Sequence, residues 1–317
     1  MNILITGIHG FVGSNIVNSL KENHIIYGLD IVSHEKDGVI KTYSWNDLYK
    51  LPEIDVFIHL AGKAHDTKIH VRQRRDVVCR VSKEYFDVNT GLTKKIFDYF
   101  LQSDAKQFFF FSSVKAIADK VEGEILTEDI VPKPIGPYGE SKIAAEEYIR
   151  SQFNLQTKSV YIFRPCMIHG PGNKGNLNLL YKFICKSIPY PLGNFENKRS
   201  FLNIGNLSYI VEQFILQKPE SGVYNLADDE PVSTTEIIGL MAASKGKKAR
   251  IWRMNKSFIK TMAKIGDFFQ LPWNSERLQK LTENYVVSNQ KMKSALGIQS
   301  LPVDVQEGLK RTIETFT

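Results

Sequence analysis

Short apolar runs alternate with amphipathic segments along the first half of the chain, the pattern of a parallel sheet covered by helices on both faces. The runs predict strands over 3–6, 25–29, 56–60, 108–112 and 159–163, and the 3.6-residue periodicity between them predicts helices over 12–22, 83–103 and 138–153. After Pro165 the texture changes. Gly and Pro cluster in Gly170-Pro171-Gly172 and strand-like runs become rarer. The predicted architecture is doubly wound α/β over 1–164, with 165–317 forming mainly a smaller domain and some later segments free to cross back.

The first predicted strand runs directly into Thr6-Gly7-Ile8-His9-Gly10-Phe11-Val12-Gly13, glycines at G-x-x-G-x-x-G spacing where a helix opens. Gly7 permits a tight turn, Gly10 lets backbone approach a pyrophosphate, and Gly13 allows helix and strand to pack closely. Amides at the mouth of the helix then hold phosphate. A second strand ends at Asp30, about 20 residues on, where a carboxylate accepts from a ribose 2′-hydroxyl and repels a 2′-phosphate. The two features together predict a Rossmann-type nucleotide-binding domain that prefers NAD to NADP.

Ser112-Ser113 ends another predicted strand, and Tyr138-Gly139-Glu140-Ser141-Lys142 opens a helix. Tyr and Lys four apart share a helix face. The ammonium, and a positive nicotinamide ring, would depress the phenol pKa from about 10 towards neutrality. A phenolate so poised is a general base for a sugar hydroxyl. Ser113, sharing the proton or holding the substrate oxygen, completes a set suited to hydride transfer.

With 317 residues, 43% apolar and 24% charged, the chain has ample material for a buried core, which excludes disorder. The net charge of +7 suits polyanionic ligands but reads as too diffuse to imply nucleic acid. Cys79, Cys166 and Cys185 stand at unrelated spacings, so neither a disulfide framework nor a zinc site is expected. Neither a leader-like segment nor an apolar run of about 20 residues is present, and a cytoplasmic location is expected. Lys68, Arg72, Arg74, Arg75 and Arg80 read as solvated charge. Segment 258–271, with apolar residues among lysines, reads as a helix covering the smaller domain, with docking on an anionic membrane as the other reading.

Taken with His59-Leu60-Ala61-Gly62, Asn89 and Thr93, Arg164-Pro165, Asn176, Lys198-Arg199-Ser200-Phe201 and Leu296-Gly297, these motifs give the chain a family likeness. From Ile3 to about Ile313 it resembles an extended short-chain dehydrogenase/reductase of the NAD-dependent epimerase/dehydratase group, acting on nucleotide sugars. The resemblance implies cofactor contacts from Gly7, Gly10, Phe11, Val12, Gly13, Asp30, Leu60, Ala61, Gly62, Asn89, Tyr138 and Lys142. It implies catalysis by Ser113, Tyr138 and Lys142, and substrate contacts from Ser113, Asn176, Arg199 and Arg277. It implies no metal, and a homodimer built on helices such as 83–103 and 138–153.

Departures from the family pattern narrow the reaction. Related 4,6-dehydratases carry an Asp-Glu pair where this chain has Val114-Lys115, and Val cannot move a proton, so dehydration is disfavoured. Ile117-Ala118 stands where Tyr-Gly is common, and His169 where a Tyr precedes Gly-Pro; His169 reads as a packing or hydrogen-bonding replacement. The leading reading is C4 epimerisation of a UDP-hexose or UDP-N-acetylhexosamine through a 4-keto sugar with retained NAD. The alternative is NAD(P)H-dependent reduction of a UDP-4-keto-6-deoxyhexosamine. The intact Ser113/Tyr138/Lys142 set argues against a cofactor-binding protein without turnover.

Overall fold

The computed structural model describes residues 1–63, 75–121, 123–152, 157–173, 175–186, 188–269 and 274–316. Lys68, Arg72 and Arg74 of the basic stretch, and Leu271 of segment 258–271, lie outside the described residues.

Seven strands form one parallel sheet: β1 (Asn2–Thr6), β2 (Ile25–Leu29), β3 (Lys41–Tyr43), β4 (Val56–His59), β5 (Gln107–Phe111), β6 (Ser159–Pro165) and, much later in the chain, β9 (Gly222–Leu226). Between the last two lie β7 (Met167–His169) and β8 (Phe201–Asn203), which pair with each other in a separate two-stranded sheet. The order across the large sheet is β3-β2-β1-β4-β5-β6-β9. The chain therefore leaves β1 in one direction and returns to its other side at β4, creating a switch point between the carboxyl ends of β1 and β4.

The strands read as unbroken apolar runs because both faces are covered. Ile3, Ile5, Phe109, Phe111, Tyr161 and Phe163 belong to one core cluster, with residues of α1 (Phe11–Leu20) and α6 (Ile204–Gln217). Leu4, Phe108, Phe110, Val160 and Ile162 point the other way and join a second cluster with α3 (Leu92–Gln102) and α4 (Pro137–Ser151). This alternation is the two-residue period of the strand expressed in a doubly covered sheet.

The helix expected over 83–103 is interrupted. α2 (Arg75–Tyr85) passes through a π-helical turn at Phe86–Gly91 before α3 begins. Such turns insert an extra residue into the helical ladder and are frequent at functional sites. Here the turn places Asn89 and Thr90 against α4, where the Thr90 hydroxyl donates to the Ser141 carbonyl at 2.8 Å.

Past Pro165 the chain builds two smaller clusters. One gathers residues of α5 (Asn176–Cys185), α7 (Thr234–Ala243) and α11 (Val305–Glu314); the other gathers Tyr190, Leu192 and Ile238 with α8 (Lys256–Phe268) and α9 (Ser275–Thr282). α10 (Gln290–Leu296) instead packs Met292 and Leu296 into the core that holds α1 and α6.

Candidate active site

The glycine turn forms a tight backbone cradle at the switch point. Gly7 has φ +69°, and a Cβ there would come within 2.9 Å of the Ala61 backbone. A Cβ on Gly13 would lie 2.6 Å from the Gly7 carbonyl oxygen. Both positions therefore exclude any side chain. No side chain caps α1, and its first turn holds no acid, so the helix mouth is electrostatically open to an anion. Asp30 follows β2 and is fixed against this turn: its carboxylate accepts from the amides of His9 at 3.1 Å and Ile31 at 2.7 Å. A cradle that a Cβ would fill, an uncapped helix mouth and a held carboxylate fit the pyrophosphate and adenosine ribose of NAD.

A hydrogen-bonded chain ties the switch point together. The Ala61 amide donates to Thr6 Oγ1 at 3.0 Å, which leaves the Thr6 hydroxyl proton to donate to His59 Nδ1 at 2.7 Å. His59 Nε2 then donates to Thr93 Oγ1 at 3.0 Å, and Thr93 donates to the Asn89 carbonyl at 2.6 Å. The order of donors assigns the proton of the ring to Nε2. Burial, aided by the Lys142 charge, pushes the His59 pKa down to about 3, which keeps the ring neutral.

Asn89 was expected at the cofactor, but its amide is spent within the protein. Its Oδ1 accepts from the Lys63 amide at 2.7 Å, while Nδ2 donates to Ser141 Oγ at 3.0 Å and the Lys63 carbonyl at 3.2 Å. Asn89 thus positions the 61–63 turn against α4. A Cβ on Gly62 would lie 2.9 Å from Asn89 Oδ1 and 3.1 Å from Lys142 Nζ, so the turn passes directly over the lysine.

Ser113, Tyr138 and Lys142 meet beyond the end of β5. Gly139 allows this meeting, since a Cβ there would lie 2.4 Å from the Lys115 carbonyl oxygen, and the start of α4 presses on the turn that follows Ser113. Tyr138 hydrogen-bonds with Ser113, and its ring lies 6.1 Å from that of Tyr85 in an edge contact. Lys142 is buried, and Nζ donates to the Phe111 carbonyl at 2.8 Å. Desolvation lowers the Lys142 pKa to about 8, against the raising effect of Glu146.

The sequence reading has the Lys142 ammonium, together with a positive nicotinamide ring, depress the Tyr138 pKa. Instead burial pushes the phenol up, with Ser113 lowering and Tyr85 raising it further. Desolvation disfavours the phenolate, and the ammonium is turned towards the end of β5.

Beneath Lys142 lies a group that the sequence reading passed over. Glu146, four residues along α4, accepts from Arg164 Nε at 3.0 and 3.1 Å and from Nη2 at 2.5 Å, and Ser112 Oγ donates to the same carboxylate. Both ions are almost fully buried, at 0% and 2% exposure. The available signal was the carboxylate at i+4 from Lys142, on the same helix face.

The expected substrate residues are more scattered. Asn176 is the first residue of α5, and its side chain lies outside the described residues. Arg199 is half-buried between Val232 and Tyr285, where burial lowers its pKa against raising effects from Glu283, Tyr285 and Tyr190. The Tyr285 hydroxyl donates to the Ala118 carbonyl at 2.7 Å, linking the Arg199–Tyr285 bridge to the segment after Ser113. Arg277 is exposed on α9. His169 is buried, with Nδ1 2.9 Å from Thr312 Oγ1 and Nε2 3.5 Å from Asp228 Oδ2. Those contacts give His169 a structural place in the core. All three cysteines are free thiols, and no group of metal-ligating side chains occurs among the described residues.

The fold and site together define a dinucleotide-binding α/β protein with a Ser-Tyr-Lys set at the end of its parallel sheet. Residues 3–227 match the NAD dependent epimerase/dehydratase family, and the chain belongs to that family. It is an NAD-dependent enzyme. The chain is 30% identical to a UDP-glucose 4-epimerase of Vibrio cholerae, over 99% of this chain and 95% of the relative. It is 28% identical to an N-acetyl-alpha-D-glucosaminyl-diphospho-ditrans,octacis-undecaprenol 4-epimerase of Escherichia coli O157:H7, over 78% and 73% of the two chains. In fold it is similar to a UDP-glucuronic acid 4-epimerase from Bacillus cereus in complex with UDP-glucuronic acid and NAD, with a TM-score of 0.74 at 19% identity, covering 100% of this chain and 99% of that one.

Asp30→Ala should narrow the preference for NAD over NADP, since it removes both an acceptor for the 2′-hydroxyl and the charge that repels a 2′-phosphate. Losing a hydrogen bond to a charged group weakens NAD by about 10- to 100-fold. Calorimetry with both cofactors checks this; tighter binding of NADP by the unaltered protein would show that Asp30 does not face the ribose.

Proposed function

We propose that this enzyme is a nucleotide-sugar 4-epimerase acting on a UDP-hexose or UDP-N-acetylhexosamine. The observation that carries the reading is the meeting of Ser113, Tyr138 and Lys142 beside the glycine cradle, with Val114-Lys115 in place of a second acid-base pair. NAD, when bound, supplies the acceptor that takes hydride from C4 of the sugar and later gives it back. Tyr138 Oη takes the C4 hydroxyl proton and returns it after the 4-keto sugar has presented its other face. Ser113 Oγ holds the same substrate oxygen. Lys142, anchored on the Phe111 carbonyl, keeps a positive charge below the site and would hold the nicotinamide ribose when NAD is bound. Arg199, Asn176 and Arg277 are assigned to the diphosphate, Arg199 through its guanidinium fork.

Epimerisation needs no net reductant. Purified protein should interconvert gluco and galacto forms of UDP-hexose or UDP-N-acetylhexosamine without added NADH, and deuterium at C4 should stay in the sugar. If no epimer forms, and a UDP-4-keto-6-deoxyhexosamine is consumed in step with NADH or NADPH, the reaction is a reduction by the same three residues.

Among the described residues no helix is long and apolar enough to cross a membrane. A cytoplasmic location is part of this reading, since nucleotide sugars are made there. So is a homodimer through α3 and α4, whose outer surfaces are joined by Tyr148 donating to Asp98 at 2.5 Å and by Lys94 over the Tyr148 ring. Sedimentation equilibrium checks the dimer.

A further inference from the structure

The positive charge of the chain is not spread evenly. Between residues 245 and 269 stand eight Lys and Arg and one Asp, so this segment carries the whole net charge of +7 and the rest of the chain is balanced. The excess that reads as diffuse from composition is local. The same segment holds the densest group of exposed large apolar side chains. Phe258, Met262 and Ile265 stand out from α8, and Phe268 and Phe269 at its end are 81% and 65% exposed. Trp252, just before the helix, is 58% exposed.

α8 has three faces. Ile259, Ala263 and Gly266 are buried, and the first two pack in the small cluster around Tyr190 and Leu192. This face covers the smaller domain, as the sequence suggests. Phe258, Met262, Ile265 and Phe269, spaced i, i+4, i+7 and i+11, form a second stripe that packs on nothing in that cluster. Lys256, Lys260 and Lys264 form the third face.

The basic segment before the helix, through Lys245, Lys247, Lys248 and Arg250, lines a surface concavity of about 790 Å³ together with Ile184 and Ile188. Ile184 packs against the same cluster as Ile259 and Ala263, so concavity and helix share one support. No residue of the Ser113/Tyr138/Lys142 group lines it.

We propose that α8 and the basic segment before it dock on the surface of a bilayer containing anionic phospholipid. At 13 residues the helix is too short to span, since about 20 are needed, but an exposed aromatic and aliphatic stripe with a lysine face opposite it suits a helix lying in the headgroup boundary. The Trp and Phe side chains enter that boundary while Lys and Arg meet lipid phosphates. A second copy of this chain is a poor occupant, because a two-fold contact would bring two surfaces of the same strong charge together. A nucleic acid would leave the Phe, Met and Ile stripe in water.

The test is sedimentation of the full chain with vesicles of phosphatidylcholine containing about one-third phosphatidylglycerol, against vesicles of phosphatidylcholine alone. Two variants are compared: Phe258→Ser/Ile265→Ser/Phe269→Ser and Lys256→Glu/Lys260→Glu/Lys264→Glu. All six side chains are outside the core, and an unchanged thermal midpoint verifies each fold. The unaltered chain should bind the anionic vesicles, and added salt should release it. Each basic residue near such a surface contributes about fivefold in affinity, and each Lys→Glu change both removes that attraction and adds repulsion, so the lysine variant should bind more than about a hundredfold more weakly. The serine variant should also lose binding. No vesicle binding, equal binding to neutral vesicles, or variants that bind like the unaltered chain would overturn the proposal. So would a dimer that the serine variant breaks in sedimentation equilibrium, which would make this face a contact between copies.

Discussion

Tyr138→Phe lowers kcat by about 10²- to 10⁴-fold and leaves KM for the nucleotide sugar within a few-fold, because it deletes one proton-transfer atom and keeps the ring. The ring contact with Tyr85 survives the change, while the hydrogen bond with Ser113 is lost. Burial holds the Tyr138 phenol above its ordinary value in the protein alone, so the base form grows as pH rises. In the unaltered enzyme the rate should therefore fall as pH is lowered through the phenol ionisation, and Tyr138→Phe should lack that limb. The positive nicotinamide ring of bound NAD moves this ionisation downward. Stopped assays across pH on both proteins read all of this at once. A variant within a few-fold of the unaltered enzyme, with the same pH profile, would remove Tyr138 from the chemistry.

Glu146→Ala should destabilise the fold by about 3–5 kcal/mol, since it strands the buried Arg164 guanidinium without its counter-ion. Three contacts from Arg164 and one from Ser112 end on this single carboxylate. Chemical denaturation measures the loss. The paired change Glu146→Leu/Arg164→Met should recover most of the stability, because an apolar pair of similar size avoids the desolvation cost altogether. A loss below about 1 kcal/mol in Glu146→Ala would mean that water or another group satisfies Arg164. Glu146 also raises the Lys142 pKa, so a stable variant lacking the carboxylate should hold Lys142 protonated only to a lower pH. Glu146 is in that sense a positioning residue, acting through Lys142.

Much of the first half of this molecule is legible in the chain because its features are local. The strands β1, β2, β4, β5 and β6 announce themselves as apolar runs, and a doubly covered sheet needs every residue of such a run. The turn at Gly7 and the close packing at Gly13 require glycine whatever surrounds them, since a Cβ would strike backbone. Tyr138 and Lys142 are four apart on a helix, and that spacing alone places them on one face. Strand β9 is different. Its sequence, Gly-Val-Tyr-Asn-Leu, carries a buried Asn that blurs the pattern, and its partner β6 lies some sixty residues earlier.

The sequence by itself determined the dinucleotide turn, the acid at the end of β2 and the Tyr-Lys pair, because each depends on neighbours within one turn or one strand. Only the tertiary structure decided what these groups experience. It spent the Asn89 amide on Lys63 and Ser141, aimed Lys142 at the Phe111 carbonyl, and raised the Tyr138 phenol where the bare pairing suggests the opposite. It also buried one face of α8 while leaving a second apolar stripe in solvent. Burial and hydrogen-bond partners come from segments far apart in the chain, and desolvation, unlike spacing, is a property of everything that packs around a group.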